Sequence, residues 1–367
     1  MKNVCLAIKS GKSEYTESEY LSVADGFRAG GYAFEEIRIV YQADEKKLAT
    51  LIAELKGQAD NLLLLTDKKR LQEIGGVVAT LFKETVSRAS EGAGIFAESK
   101  KTAFLLTAGD GADGKVFLQN ACLPYLAKKY GRRLDKLVIR TMGANELRVE
   151  QLIARVEALA QGKIRVERAR KYDEDVLEIF YDETAPKMLT DDVMRILVEG
   201  LEDTVYALSD TSLEEQLVEL LKLRGKKISV AESFTGGGVA KKIVSVSGAS
   251  EVYFEGLNTY NERSKIKRLG VSEYTLGTMG AASDQTAYEM AAGLIATGDC
   301  DISIATTGIA GPKTDRSMLP VGLCFLAVGT KESVYVYRYK FEGGREEITQ
   351  KAIRYAMFLA YKQLKTM

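Results

Sequence analysis

Apolar positions along this chain follow two patterns. Short unbroken apolar runs read as buried strands, and apolar positions spaced three and four apart read as one face of a helix. Residues 3–8 and 61–66 are of the first kind, the second run holding Leu62, Leu63, Leu64 and Leu65 in succession. Residues 44–57 are of the second kind, with Leu48, Leu51, Ile52 and Leu55 at helical spacing. Residues 18–29 predict a helix begun at Ser18 and stopped by Gly30-Gly31, and residues 34–40 a strand. Two helical stretches follow residue 66, then a strand over 102–107. Residues 119–130 predict a helix with an internal Pro124, 137–141 a strand, and 145–161 a helix ended by Gly162. This alternation predicts a doubly wound α/β domain over residues 1–163.

A smaller α/β segment spans 164–210. Residues 164–168, 176–181 and 205–208 are strand-like, and 189–201 form a helix begun by Thr190-Asp191-Asp192. The segment is too short for a sizeable core of its own, so it is expected to pack on its neighbours. A second large α/β unit covers 211–367. It is expected to contain helices over 213–224, 283–296 and 345–365, and strands over 228–231, 254–259 and 302–306. Residues 321–330 and 334–339 predict a hairpin across Lys331-Glu332-Ser333. In such folds the polar turns at strand ends bind ligands.

The length of 367 residues suits two or three domains. Acidic and basic residues both number 51, so no net charge draws the chain to nucleic acid or membrane. No apolar run reaches membrane-span length, and the residues after Met1-Lys2-Asn3-Val4 lack the long apolar region of a signal peptide. Cys5, Cys122, Cys300 and Cys324 are scattered, as reduced core thiols of a cytoplasmic protein would be, and no pair has metal-ligand spacing. The chain has no histidine. A histidine base, a Ser-His-Asp triad and histidine metal ligands are thereby excluded. Acid–base chemistry must then use carboxylates, lysine, tyrosine or cysteine.

The stretch from Ile228 to Gly238 concentrates the chemistry. A buried strand runs into Glu232-Ser233-Phe234-Thr235-Gly236-Gly237-Gly238, and helix-like residues follow. Ser233 and Thr235 place hydroxyls beside a helix start, and the glycines admit close approach of a ligand or backbone. Such a terminus suits an anion or a developing oxyanion. A plain strand–turn–helix, capped by Ser233 or Thr235, accounts for the same residues.

Further groups follow in order. They are Thr259-Tyr260-Asn261-Glu262-Arg263-Ser264-Lys265, Gly280-Ala281-Ala282-Ser283, Thr307-Gly308-Ile309-Ala310-Gly311-Pro312, Pro320-Val321-Gly322 and Gly343-Gly344-Arg345. With these groups in this order, residues 212–367 resemble the C-terminal domain of the CinA family of competence/damage-inducible proteins. The resemblance implies nicotinamide mononucleotide deamidase activity, releasing ammonia and nicotinate mononucleotide. Ser233 then serves as nucleophile, with N–H groups of Thr235, Gly236 and Gly237 around the oxyanion. Lys265 fills the family's lysine position and acts as the base, which requires it to lose its charge by desolvation or near other cations. Tyr260 is expected to hydrogen-bond the substrate. Thr307, Gly308 and Gly311 are expected around it too, the glycines bringing N–H groups to its phosphate, and Arg345 pairs with that phosphate. Plainer roles exist for each: Lys265 and Arg345 as solvated surface cations, Tyr260 as core, the glycines as an ordinary turn. The reading calls for no cofactor and no metal.

Several positions depart from the family pattern. Phe234 replaces a cysteine, Asn261-Glu262-Arg263-Ser264 replaces Ser-Asn-Glu-Ala, and Lys313-Thr314-Asp315 replaces a glycine-rich loop. Leu319 and Thr349 stand where a lysine and an arginine are expected. Upstream, residues 164–210 look like the family's KH-type connector without its glycine clamp loop, which disfavours nucleic-acid binding. Residues 1–163 look like its molybdopterin-binding-like domain. There Asp67-Lys68-Lys69-Arg70 and residues 106–113 replace the functional turns. The resemblance also implies a homodimer. A different class, a nucleotide-binding protein without catalysis, fits the same residues and is separated from the enzyme by an ammonia assay. A glycine-free turn at Asp67–Arg70 cannot readily wrap a diphosphate. A fragment of residues 1–165 is therefore expected to release no AMP from ADP-ribose with a divalent metal; substantial turnover would contradict this.

Overall fold

The computed structural model describes residues 2–9, 21, 24–28, 30–32, 34–82, 87–88, 94–98, 102–107, 117–131, 134–314 and 318–367. The expected Ser18 cap, residues 108–113 of the polar turn and Asp315 lie outside them. The chain divides into two compact units, residues 1–136 with 180–186, and residues 137–179 with 187–367.

The first unit is built on strands β1 (Asn3–Lys9), β2 (Glu36–Tyr41), β3 (Asn61–Thr66), β4 (Ser87–Arg88), β5 (Gly94–Glu98) and β6 (Thr102–Thr107), in the order β2-β1-β3-β6-β5-β4. The pairs β1–β2, β1–β3 and β3–β6 are parallel, and β5 and β4 run antiparallel at one edge. Alternate residues of β1 and β3 feed two separate cores. Val4, Leu6, Ile8, Leu62 and Leu64 pack with Leu48, Ile52 and Leu55 of the helix Glu45–Gln58 and with Ile74 and Val78 of the helix Leu71–Phe82. Cys5, Ala7, Leu63 and Leu65 pack with Phe27, Phe117 and Leu126 on the other face. Burial on both faces is why these strands are apolar throughout. One of the two helical stretches expected after residue 66 is present, as Leu71–Phe82. Ser87–Arg88 and Gly94–Glu98 are strands instead, because β5 finds an antiparallel partner in β6. Pro124 is internal, as expected: a π-helical turn, Leu118–Cys122, runs directly into the α-helix Leu123–Tyr130 that contains it.

The second unit carries one whole sheet and most of another. In the latter, the strands β7 (Leu134–Met142), β8 (Ile164–Lys171), β9 (Glu174–Asp182) and β10 (Val205–Ala207) pair in the order β10-β7-β9-β8. β7, read from sequence as a strand of the first sheet, belongs to this one. Its apolar content did not reveal which sheet would take it. The fully buried Asp175 accepts from Arg168 Nε at 2.6 Å and from Arg170 Nη1, tying β9 to β8. The helices Glu146–Ala160 and Lys187–Leu201 accompany this sheet.

The other sheet consists of β11 (Ile228–Glu232), β12 (Tyr253–Asn258), β13 (Ile302–Gly308), β14 (Leu323–Thr330) and β15 (Val334–Lys340), ordered β12-β11-β13-β14-β15. β12, β11 and β13 are parallel, whereas β14 and β15 form the expected antiparallel hairpin. Val230, Ile304 and Leu326 face the helices Leu213–Arg224 and Arg345–Thr366, meeting Leu217, Ile353 and Met357. Ala231, Ala305 and Ala327 face the helix Asp284–Ala296, where small strand residues let Met290, Ala291 and Leu294 approach closely. The register sets Glu232 beside both Asn258 and Thr306. β11 and β12 therefore end level with Thr306 of β13, which runs on to Gly308, and the residues after β11 and β12 meet the end of β13 at one sheet edge.

Removing one member of a buried ion pair strands the other. Asp175→Ala is expected to destabilise the second unit by about 3 kcal/mol, read as a lowered urea midpoint; an unchanged midpoint would show that Arg168 and Arg170 do not depend on it.

Candidate functional site

Ser233 and Thr259 extend the parallel ladder just past the strand ends. The Ser233 amide donates to the Thr306 carbonyl at 3.0 Å, and the Thr259 amide to the Glu232 carbonyl at 2.7 Å. The chain then turns into the helix Glu262–Leu269, which sequence periodicity did not reveal. The Asn261 side chain opens it by accepting from the Arg263 amide at 2.9 Å, and Gly270 closes it at φ +69°. Both are ordinary helix-end residues. This helix turns Lys265 back beneath the strand ends.

Lys265 is 1% exposed and Ser233 is 8% exposed. Lys265 Nζ lies 2.9 Å from Ser233 Oγ, 2.6 Å from the Thr259 carbonyl and 3.5 Å from the Tyr260 carbonyl. The two carbonyls can only accept. An uncharged amine directs its two N–H groups at them and leaves its lone pair for the serine hydroxyl. Burial lowers the Lys265 pKa from the ordinary value of 10.5 to about 8, and the Glu262 carboxylate, one turn earlier on the same helix, opposes that shift. The solvated-lysine alternative does not describe this side chain.

The turn after Ser233 differs from the expectation. Glu232 is buried, and its carboxylate accepts the amides of Gly237 at 3.1 Å, Val239 at 3.0 Å and Ala240 at 2.8 Å. The Gly236 amide donates to the Ser233 carbonyl at 3.1 Å. Thr235 is buried with its hydroxyl 2.6 Å from that of Thr306. Thr235, Gly236 and Gly237 thus do not line the cleft, and the amides of Gly236 and Gly237 are already used. The helix start after the serine holds an internal anion, Glu232, and has no amide left there for an external one. Gly236 and Gly237 serve the turn itself, at φ +62° and +95°.

A cleft of about 290 Å³ opens over Ser233 and Lys265. Tyr260, Thr307, Gly308, Gly311 and Arg345 border it, as the sequence suggested, and so do Phe234, Glu262, Ala281 and Lys313. Tyr260 is 64% exposed and stands at the mouth, not in the core. Thr307 fixes one wall by donating its hydroxyl to the Ala281 carbonyl at 2.5 Å. Arg345 Nη1 donates to the Gly311 carbonyl at 2.7 Å. A Cβ on Gly308 would lie 2.7 Å from the Leu323 carbonyl oxygen, so only glycine fits beside β14. The Ile309 amide donates to that same carbonyl. Antiparallel alternation then turns the Gly308 amide the other way, toward β11 and Ser233. Glu262 and Lys313 both occupy positions where this chain departs from the family pattern, which was the signal available for them. Among the described residues there is no group of three or more Cys, Asp or Glu side chains that could hold a metal ion. Among the same residues, no helix is long and apolar enough to cross a membrane.

The folded chain releases the Lys265 proton at about pH 8 and an unfolded lysine at about 10.5. Between these values the unfolded state binds more protons, so stability rises with pH across this window. Below it the buried charge costs about 3 kcal/mol. Lys265→Met is therefore expected to be more stable than the natural chain at pH 7, with the gap narrowing by pH 10 in urea titrations. A gap independent of pH would show that Lys265 titrates normally.

Residues 210–364 match the CinA C-terminal domain family. A CinA-like protein of Kosmotoga olearia is 34% identical over 269 residues, 72% of this chain and 65% of its own length. A protein of Caldicellulosiruptor saccharolyticus named as competence-damage inducible is 33% identical over 282 residues, covering 74% of this chain and 66% of its own. The chain thus spans slightly less than two thirds of those relatives. The crystal structure of the competence/damage inducible protein CihA from Agrobacterium tumefaciens is 34% identical over 42% of this chain and 93% of that one, with a TM-score of 0.40. The chain belongs to the CinA family, and residues 210–364 are its CinA C-terminal domain.

Proposed function

We propose that the cleft hydrolyses the carboxamide of nicotinamide mononucleotide, giving nicotinate mononucleotide and ammonia. The observation that carries this reading is the 2.9 Å approach of a buried, readily deprotonated Lys265 amine to the Ser233 hydroxyl. In a chain without histidine, this pair is suited to activate a nucleophile.

The neutral Lys265 amine takes the Ser233 proton as Oγ bonds to the carboxamide carbon. The carbonyl π electrons move to oxygen and form an oxyanion. With the Gly236 and Gly237 amides used elsewhere, donors for it are the Gly308 amide, turned toward Ser233, and the Phe234 amide, which follows Ser233 at the cleft wall. The Lys265 ammonium then gives its proton to the departing nitrogen, the C–N bond breaks, and ammonia leaves. A serine ester remains. Water loses a proton to Lys265, attacks that ester, and frees the carboxylate product. Serine regains its proton from lysine, and the pair returns to its first state.

Ser233→Ala is expected to lower kcat by about a thousandfold or more while leaving nucleotide binding near its natural strength, since the hydroxyl acts chiefly in the transition state. Lys265→Arg is expected to be nearly as damaging, because guanidinium keeps its proton. Ammonia release measured against pH should rise about tenfold per unit below the amine's pKa and level off above about 8. Undiminished deamidation by Ser233→Ala would overturn the assignment. Binding without ammonia release by the natural chain would make it a nucleotide-binding protein without catalysis.

A further inference from the structure

Three charged side chains border the cleft, each on a different segment. Glu262, Lys313 and Arg345 line it, and among the described residues none of them is salt-bridged. Among the described residues, the one hydrogen bond from their side chains runs from Arg345 to the Gly311 carbonyl. Glu262 and Lys313 are exposed enough to meet a ligand. Charges of both signs thus face one small cleft from different segments.

Their order along the cleft follows from what each acts on. Glu262 is one helical turn ahead of Lys265, and its charge acts on that amine. Lys313 lies two residues past Gly311, and Arg345, at the start of the last helix, donates to the Gly311 carbonyl. The negative end of the cleft is therefore beside the Ser233–Lys265 pair, and the positive end is at the glycine turn.

We propose that the cleft is polarised for a zwitterionic ligand, Glu262 facing a cationic ring beside the scissile carboxamide while Lys313 and Arg345 hold a phosphate monoester. This rests on the deamidase reading of the same site and adds how the site selects its substrate. A pyridinium nucleotide carries both charges in this arrangement. Its dihydropyridine form lacks the ring charge, and its nucleoside lacks the phosphate. Complementary charge fixes orientation and excludes ligands that match only one end.

The test measures binding of three ligands to the full chain carrying Ser233→Ala, by calorimetry at fixed salt. They are nicotinamide mononucleotide, its reduced dihydropyridine form and nicotinamide riboside. Adding Glu262→Gln is expected to weaken the oxidised nucleotide about fivefold and leave the reduced one unchanged. Adding Lys313→Gln is expected to weaken both nucleotides by a similar factor and leave the riboside unchanged. Equal losses for oxidised and reduced nucleotide in Glu262→Gln, or for nucleotide and nucleoside in Lys313→Gln, overturn the polarised cleft. Binding of none of the three overturns it as well. If this charge pattern appears but the natural chain releases no ammonia, the deamidase reading falls and the polarised site stands. Ammonia release without the pattern gives the reverse result.

Discussion

An amine buried beside a hydroxyl and two carbonyls is the constraint on which this site depends. Water no longer solvates the Lys265 charge, and the neighbouring carbonyls accept its hydrogens without neutralising it. The balance moves toward the neutral amine at mildly alkaline pH. That state is the one a proton acceptor needs, and the same burial lowers the stability of the fold. The site thus holds a strained charge where a hydrophobic side chain would pack at less cost.

The sheet and its loops exist in the form this constraint requires. β11 and β12 end level beside Thr306 of β13, so Ser233 and Thr259 emerge next to Thr307. Thr259 supplies the carbonyl that receives the Lys265 amine, and the Thr306 carbonyl fixes the backbone of Ser233. Glu232 has a different task from its neighbour. Its carboxylate closes the start of the helix Gly238–Val244 from inside, holding the turn that carries Ser233. The end of β13 and the turn to Gly311 complete the cleft, with glycine required at Gly308 because a Cβ would strike β14.

Charge organisation then separates the two ends of the cleft. Glu262 and Lys265 share one helix and influence one another, whereas Arg345 reaches across from the start of the last helix to the Gly311 carbonyl. Phe234 adds an apolar wall next to the nucleophile. Phe234, Glu262 and Lys313 thus border the hydroxyl–amine pair on different sides.

Much of this was readable from residue order. Unbroken apolar runs marked β1, β3 and β14, because strands covered on both faces are apolar almost throughout. The absence of histidine and the spacing of Ser233 and Lys265 within recognisable motifs singled out that pair. Local sequence could not decide the partners of backbone amides. Whether the turn at Gly236 and Gly237 faced a ligand or an internal carboxylate depended on where Glu232 folded, which no spacing encodes. The helix carrying Lys265 is short and strongly polar, so its periodicity was silent, and only docking against the strand ends removed its amine from water. β7 joined the middle sheet for a similar reason: an apolar strand states that it will be buried, and long-range pairing decides against what.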